Sequence, residues 1–451
     1  MQVLYSWTLS KAAGCLYIYR LGVGIHFEGS NINTGWFCTV IPVPTLLVLL
    51  LLTGNPNNGT NTKTGNVKTG LDVLITEARG LIEDKRVGVI ANHSSVTFSG
   101  EWILNALSGL KDLKVEILFT PEHGLDLLDD ETRQRWKDIP KVDLHGERRR
   151  PDVAILSGLD AIIFDVQDVG CRFYTYISTL LLAMDASAEA GIEFIVLDRP
   201  NPLGGIVVEG PVLELDYRSF VGMYPIPIRY GLTVGELALM ANSEGYLPSG
   251  AEAKLTIVKM KNWKRSMYFD DTGVPWKPPS PNLPDLESAV LYPGMCLLEG
   301  TNLSEGRGTP IPFKLVGAPW LPNDQLLESL GQDEINGISL AETTFTPVSL
   351  PGKCERPKHE GRTLRGLRIF VTSRDDLRSY SFGTLLIRRA AELAPEKFEW
   401  TGDYYIDRLV GTDEFRKAVD DSQDLTALLL RWNEEAQLFK QKSRRYYLYG
   451  D

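Results

Sequence analysis

Four polar runs in this 451-residue chain, each directly after a short apolar stretch, hold residue types that can move protons or bind anions. Asn92-His93-Ser94 follows 87–91, Pro121-Glu122-His123-Gly124 follows 115–119, Asp165-Val166-Gln167-Asp168 follows 161–164, and Asp198-Arg199-Pro200-Asn201 follows 192–197. Glu122, between Pro121 and Gly124 at an apolar strand end, is a partly desolvated carboxyl group suited to general acid work near neutral pH. His123 either orients Glu122 or bonds a neighbouring backbone carbonyl. Asp165 and Asp168 offer the second carboxylate that glycoside hydrolysis usually needs. Arg172 and Tyr174 add a fork for a carboxylate and a ring that stacks on a sugar, whereas Phe173 reads as core. Asn302, Glu305 and Arg307 lie in a Gly-rich loop whose shape suits a fixed ligand-facing surface.

The elements that must position these groups read as βαβ units. Strands are expected at 87–91, 115–119, 161–164 and 192–197, with helices at 101–110, opened by Ser99, and at 175–190, closed by Gly191. Strands that are apolar throughout, joined by helices, indicate a parallel sheet covered on both faces, with ligands bound beyond the carboxyl ends of its strands. The four polar runs therefore converge on one cleft. No GxGxxG turn follows the first strand and no Walker A lysine loop is present, so the α/β fold is Rossmann-like in architecture without a dinucleotide fingerprint. Pro- and Gly-rich text after about 279 introduces a smaller C-terminal α/β domain. The expected division is 67–284 for the Rossmann-like catalytic domain and 285–451 for the domain that completes the cleft.

With 47 Lys+Arg against 58 Asp+Glu, the formal charge of −11 gives no extended positive field, so a nucleic-acid partner is not expected and anionic ligands must be met by local arginines. Five scattered cysteines form no CxxC pair, and the five histidines show no HExxH spacing, so neither a structural zinc nor any cofactor is expected. GxSxG and kinase signatures are also missing. Arg148-Arg149-Arg150 before Pro151 reads as a solvated or salt-bridged turn. No charged residue occurs from 29 to 62, and the apolar 36–53 ends in a run of leucines, so 1–53 reads as an export signal or membrane anchor, with 54–66 as a polar linker. An exported, periplasmic or extracellular protein is expected, in contact with a membrane only through that segment, and the oligomeric state is left open.

Several long motifs resemble the bacterial exo-β-N-acetylmuramidase family, long catalogued as a domain of unknown function: PEHGL at 121–125, FDVQDVGCRFYTYISTL at 164–180, LDRPNPLGG at 197–205, EGPVL at 209–213, PSPNLP at 279–284 and LYPGMCLLEGTNLSEGRGT at 291–309. The resemblance implies a Rossmann-like domain plus a smaller C-terminal domain. It also implies removal of N-acetylmuramic acid from the non-reducing ends of peptidoglycan fragments during cell-wall recycling, with Glu122 as leading catalytic residue; Asp165 and His123 join the catalytic set on the chemistry of the residues given above. By the same likeness Asn92, His93, Asp165, Arg172, Tyr174, Asp198, Arg199, Asn302, Glu305 and Arg307 line the cleft, and Asp168 joins them as a substrate-binding candidate from its place at a strand end. Muramic acid carries a lactyl carboxylate, for which Arg172, Arg199 and Arg307 are the expected partners. The second catalytic group is either an aspartate or the substrate's own N-acetyl group.

The chain departs from the family at 125–150, where LDLLDDETRQRWKDIPKVDLHGERRR replaces a longer Gly-containing loop and His145 stands at the position of a family tyrosine. A second departure lies around Cys354. The first leaves open a muropeptide-binding protein without turnover. A metal-assisted hydrolase built on Asp165, Asp168 and His123 is the third reading.

Overall fold

The computed structural model describes residues 7–12, 15–20, 66–331 and 335–451. They fall in two units, 1–61 and 62–451. In the first, β1 (Trp7–Ala12) pairs antiparallel with β2 (Cys15–Arg20). The apolar stretch 36–53 and the linker residues 54–65, read above as signal or anchor and spacer, lie outside the described residues. Among those described, no helix is long and apolar enough to cross a membrane.

The second unit starts with α1 (Gly70–Glu77), whose Thr69 and Asp72 form a reciprocal capping box at its N-terminus. A six-stranded parallel sheet follows: β3 (Arg86–Ala91), β4 (Lys114–Thr120), β5 (Lys141–Asp143), β6 (Ala161–Asp165), β7 (Glu193–Leu197) and β8 (Lys254–Val258). The spatial order is β5-β4-β3-β6-β7-β8, so the winding direction reverses between β3 and β6, as in doubly wound dinucleotide folds. Every residue of β6 and all but the first of β3 and β7 are buried, which is why their sequences are β-branched and apolar without alternation. The connecting helices are α2 (Ile103–Ser108), α3 (Asp130–Arg135), α4 (Val153–Leu156), α5 (Tyr176–Ala190) and α6 (Val234–Ser243). The α/β, Rossmann-like architecture expected from the sequence is the one found.

Two local expectations change. The helix anticipated from 101 begins at Ile103, because Val96 bridges Trp102 and the Thr97 hydroxyl accepts the Glu101 amide; Ser99 pairs with Thr97 instead of capping. The charged stretch 125–150 is not one loop: it holds α3, capped by the Asp129 carboxylate, and the edge strand β5.

Past 284, α7 (Leu286–Met295) and a short 3-10 turn over Cys296–Gly300 lead into β9 (Leu315–Gly317), α8 (Asn323–Ser329), β10 (Ile338–Phe345) and β11 (Leu364–Val371), an antiparallel sheet of order β10-β11-β9. Four helices close the chain: α9 (Ser379–Leu393), α10 (Tyr405–Val410), α11 (Glu414–Asp420) and α12 (Thr426–Ser443). Helices α7 and α9 cross at Gly294 and Gly383, where a β-carbon on Gly383 would sit 2.3 Å from the Gly294 carbonyl oxygen. Any larger residue there would push apart the helices that set the 296–300 turn.

The tail after α12 returns to the six-stranded sheet. Tyr449 donates its hydroxyl to Asp198 Oδ2 at 2.6 Å and accepts the Met260 amide at 2.9 Å, while the Leu448 amide meets Glu236 Oε1 at 2.8 Å. Tyr449→Phe removes a donor from a fully buried carboxylate, so a loss of about 1–3 kcal/mol is expected in urea unfolding. An unchanged midpoint would mean that the tail is not structural.

Candidate active site

A cavity of about 670 Å3 opens where the carboxyl ends of β4, β5 and β6 face the 296–313 segment and α10. Of the residues expected to form the site, Glu122, His123, Tyr174 and Arg307 line it. They are joined by His145, Arg149, Phe173, Thr175, Phe220, Ser280, Asn282, Tyr292, Glu299, Phe313, Lys353, Tyr405 and Arg408.

Glu122 is half-buried, and its Oε2 accepts the Thr175 hydroxyl at 2.9 Å. His145 Nδ1 stands 4.0 Å from the same oxygen. The backbone under the carboxyl is fixed by Tyr176, the first residue of α5, whose hydroxyl lies 3.0 Å from the Glu122 carbonyl and 2.7 Å from that of Pro279, and accepts Asn92 Nδ2 at 2.8 Å. One phenol thus ties the ends of β3 and β4 to the PSPNLP loop. Burial pushes the Tyr176 hydroxyl up, so it stays protonated and keeps a hydrogen to donate.

His123 has φ +67°, a left-handed conformation uncommon outside glycine, of the kind that accumulates at functional sites. Burial lowers its pKa, the Glu122 carboxylate partly offsets this, and His93, Arg307 and His145 add to the lowering. His93 is lowered chiefly by burial as well, and its Nε2 lies 2.6 Å from the Pro278 carbonyl. A carbonyl only accepts, so the hydrogen sits on Nε2.

The cavity floor is aromatic. Phe173, Tyr174 and Phe313 each meet Tyr292 edge-on, with centroids 5.4, 5.9 and 5.0 Å apart. Behind it Arg307 contacts Glu299 at 2.6 Å and lies 4.0 Å from Glu305, which also takes Lys358 at 3.1 Å. Burial alone would lower the Arg307 pKa, but the two carboxylates hold it above its ordinary value.

The other expected site residues do not line the cavity; all but the half-buried Asn302 are buried, and their polar groups are satisfied by partners inside the protein. Asp165, at the buried end of β6, takes Arg199 as a two-pronged ion pair at 2.5 and 2.8 Å. Asp198 caps the start of α6 through the Gly235 amide at 2.8 Å and the Thr233 hydroxyl at 2.7 Å. Asp168 accepts the Gly170 amide at 2.6 Å and the Tyr230 hydroxyl. Asn92 accepts from the Ser94 amide and hydroxyl at 2.9 and 2.6 Å. Arg172, fully buried, donates to the carbonyls of Pro211, Ile226, Leu409 and Val410. Asn302 bonds Lys397 and Glu399, and Glu305 is taken up by Lys358.

Asp165, Asp168 and His123 therefore do not form the donor set of a metal-assisted hydrolase. Among the described residues no cluster of three His, Cys, Asp or Glu side chains suits a metal ion. The 148–150 turn also divides. Arg150 is salt-bridged to Asp185 and Glu189, both at 2.9 Å, as expected, but Arg149 faces the cavity. Of the wall residues that sequence reasoning did not single out, Ser280, Asn282, Tyr292 and Glu299 sat inside motifs already recognised. Tyr405 and Arg408 carried no local signal, since α10 reaches the cavity only through tertiary packing.

Family models described as "Exo-beta-N-acetylmuramidase NamZ" match residues 87–287 for the N-terminal part and 290–449 for the C-terminal part. A curated relative, the peptidoglycan beta-N-acetylmuramidase NamZ of Bacillus subtilis (strain 168), is 38% identical over 398 residues, covering 86% of this chain and 92% of its own. Two crystal structures of DUF1343 family proteins from Bacteroides fragilis are also similar. One has a TM-score of 0.77 at 33% identity, covering 85% of this chain and 99% of its own; the other scores 0.68 at 31%, covering 86% and 100%.

Two outcomes are expected from the buried groups. Arg172→Leu strands four carbonyls, so it should lower unfolding stability by about 3 kcal/mol or more, whereas a raised KM at unchanged stability would return Arg172 to the ligand. Burial pushes the Asp168 pKa up to about 6, above the ~3.9 of an unfolded chain. The folded state alone then holds that proton between these values, so stability gained at about pH 4 is lost as pH rises through about 6. Asp168→Asn should flatten that slope in urea titrations taken across the window; an unaltered slope would mean that Asp168 does not titrate there.

Proposed function

The chain belongs to the exo-β-N-acetylmuramidase NamZ family, and on that premise we propose that it releases N-acetylmuramic acid from the non-reducing ends of peptidoglycan fragments, with Glu122 protonating the departing glycosidic oxygen. The observation that carries the assignment to Glu122 is its placement: a carboxyl group in the cavity, hydrogen-bonded by Thr175 and with its backbone tied down by Tyr176. A proton donor held in this way keeps its position while the glycosidic bond lengthens.

Among the described residues two carboxylates line the cavity, Glu122 and Glu299, and the second is engaged by Arg307. Asp165 and Asp168 are committed elsewhere. This supports a substrate-assisted route over one with a free carboxylate nucleophile. The acetamido oxygen attacks C1 as the C1–O bond breaks, Glu122 gives its proton to the leaving oxygen, and the Glu122 carboxylate then takes a proton from the water that opens the cyclic intermediate. The configuration at C1 is retained. A peptidoglycan substrate also calls for an exported enzyme, a location that the uncharged apolar segment 36–53 supports.

Glu122→Gln is the test, read on two substrates. With a muramyl-glucosamine disaccharide, whose alcohol must be protonated to leave, kcat is expected to fall about 10²–10⁴-fold. 4-Nitrophenyl β-N-acetylmuramide, with a leaving group that departs largely unaided, should lose less. A drop of under tenfold on the disaccharide would remove Glu122 from the acid role. Failure of the native protein to cleave either substrate while still binding muramic acid would favour the binding-protein reading.

A further inference from the structure

Among the described residues four Lys and Arg side chains line the cavity, and their commitments differ. Arg307 is held by Glu299 and Glu305, so a third carboxylate would arrive against two like charges. Arg408 is ion-paired with Asp403. Lys353 has no ion-pair partner among the described residues, but its compact ammonium sits on a flexible stem and offers no fixed geometry. Arg149 combines an uncompensated charge with a fixed plane. Its guanidinium carbon lies 4.5 Å from the centre of the Phe220 ring and its Nε donates to the Gly146 carbonyl at 3.0 Å, and among the described residues no carboxylate pairs with it. Stacking sets the orientation of the fork, and the Nε contact uses one edge. The Nη1/Nη2 edge remains for a carboxylate taken bidentately.

The segment that carries Arg149 runs directly past the reacting centre. His145, four residues earlier, is the group 4.0 Å from the Glu122 carboxyl, and Leu144 is anchored by its amide to the Thr120 carbonyl at 2.7 Å, at the end of β4. Phe220 comes from a separate tight turn, closed by Ser219 and Gly222. Two segments far apart in sequence thus build an anion-binding wall in the cavity that holds Glu122. N-acetylmuramic acid differs from N-acetylglucosamine by a lactyl ether that ends in a carboxylate, and that group is what an unpaired arginine in this cavity can read.

We propose that Arg149, stacked on Phe220, receives the lactyl carboxylate and sets the preference for muramides over glucosaminides. The inference rests on the muramidase reading and deepens it. It moves the anion contact from the buried Arg172 and Arg199 to an arginine in a segment that departs from the family pattern.

The test is a cycle between protein and substrate. kcat/KM is measured for 4-nitrophenyl β-N-acetylmuramide and for its lactyl methyl ester, which keeps the shape and loses the charge, with the native protein, Arg149→Leu and Arg149→Lys. Esterification should cost the native protein roughly 10–100-fold, as expected for a hydrogen-bonded charge pair in a partly open site. Arg149→Leu should be slow on the acid by a similar factor and nearly indifferent to the ester, and Arg149→Lys should recover part of the loss. If Arg149→Leu keeps the full esterification penalty, the carboxylate is bound elsewhere, with Lys353 the next group to test, and the proposal is wrong. Calorimetric titration of the same proteins with free N-acetylmuramic acid and N-acetylglucosamine reads the proposal without turnover. Selective binding that Arg149→Leu abolishes would uphold it even if hydrolysis failed, whereas equal binding of the two sugars by the native protein would overturn it.

Discussion

The buried guanidinium of Arg172 is the interaction on which the cavity depends. Among the described residues it has no carboxylate partner; it is fully enclosed, and burial lowers its pKa to about 10, so it remains charged at neutral pH. Its charge is dispersed over four backbone carbonyls, two from the loops at 211 and 226 and two from the end of α10. Carbonyls at a helix C-terminus carry partial negative charge and lack partners within the helix, so a buried cation is a favourable cap for them. The result joins the β6–α5 connection to α10. Phe173, Tyr174 and Thr175, the next three residues after Arg172, therefore face Tyr405 and Arg408 across one cavity.

A second constraint operates inside that frame. The Tyr176 hydroxyl gathers the ends of β3 and β4 and the loop at 279 around a single oxygen. A phenol has one hydrogen, so the Glu122 and Pro279 carbonyls share it while Asn92 donates to the lone pairs. Its location at the first residue of a long helix makes it rigid. The Glu122 carboxyl, the proposed proton donor, is met by Thr175, which directly precedes Tyr176 in the chain.

The residues that recur in the family motifs thus divide into two groups with different physics. Asp165, Asp168, Arg172, Asp198 and Arg199 are buried polar groups at or just beyond the ends of an apolar sheet, each satisfied by partners inside the protein. Glu122, His123, Tyr174 and Arg307 reach the cavity. Asp165 and Glu122, one from each group, look alike on the line of text, since both are carboxylates at or just past the end of an apolar strand. Family likeness marks a position as demanding without saying whether the demand is chemical or structural. His145 and Arg149 show the converse, because an exposed charged segment reads as solvated until the chain is folded around it.

Much of the architecture was legible without coordinates. The β-branched runs at 87–91, 115–119, 161–164 and 192–197, the helix ended by Gly191 and the absence of a GxGxxG turn determined a parallel sheet with no dinucleotide loop, because these signals are local and concern burial on both faces of a strand. Glu122 was legible for the same reason, as a carboxyl at a strand end beside Pro121 and Gly124. Tertiary structure alone decided which strand-end groups face the cavity. That depends on whether a partner such as Arg199, Tyr230 or Thr233 arrives from another segment to consume the polar atom, and on where α10 and the 144–150 segment come to rest. Pairing across tens or hundreds of residues is set by packing geometry, and no spacing rule in the sequence encodes it.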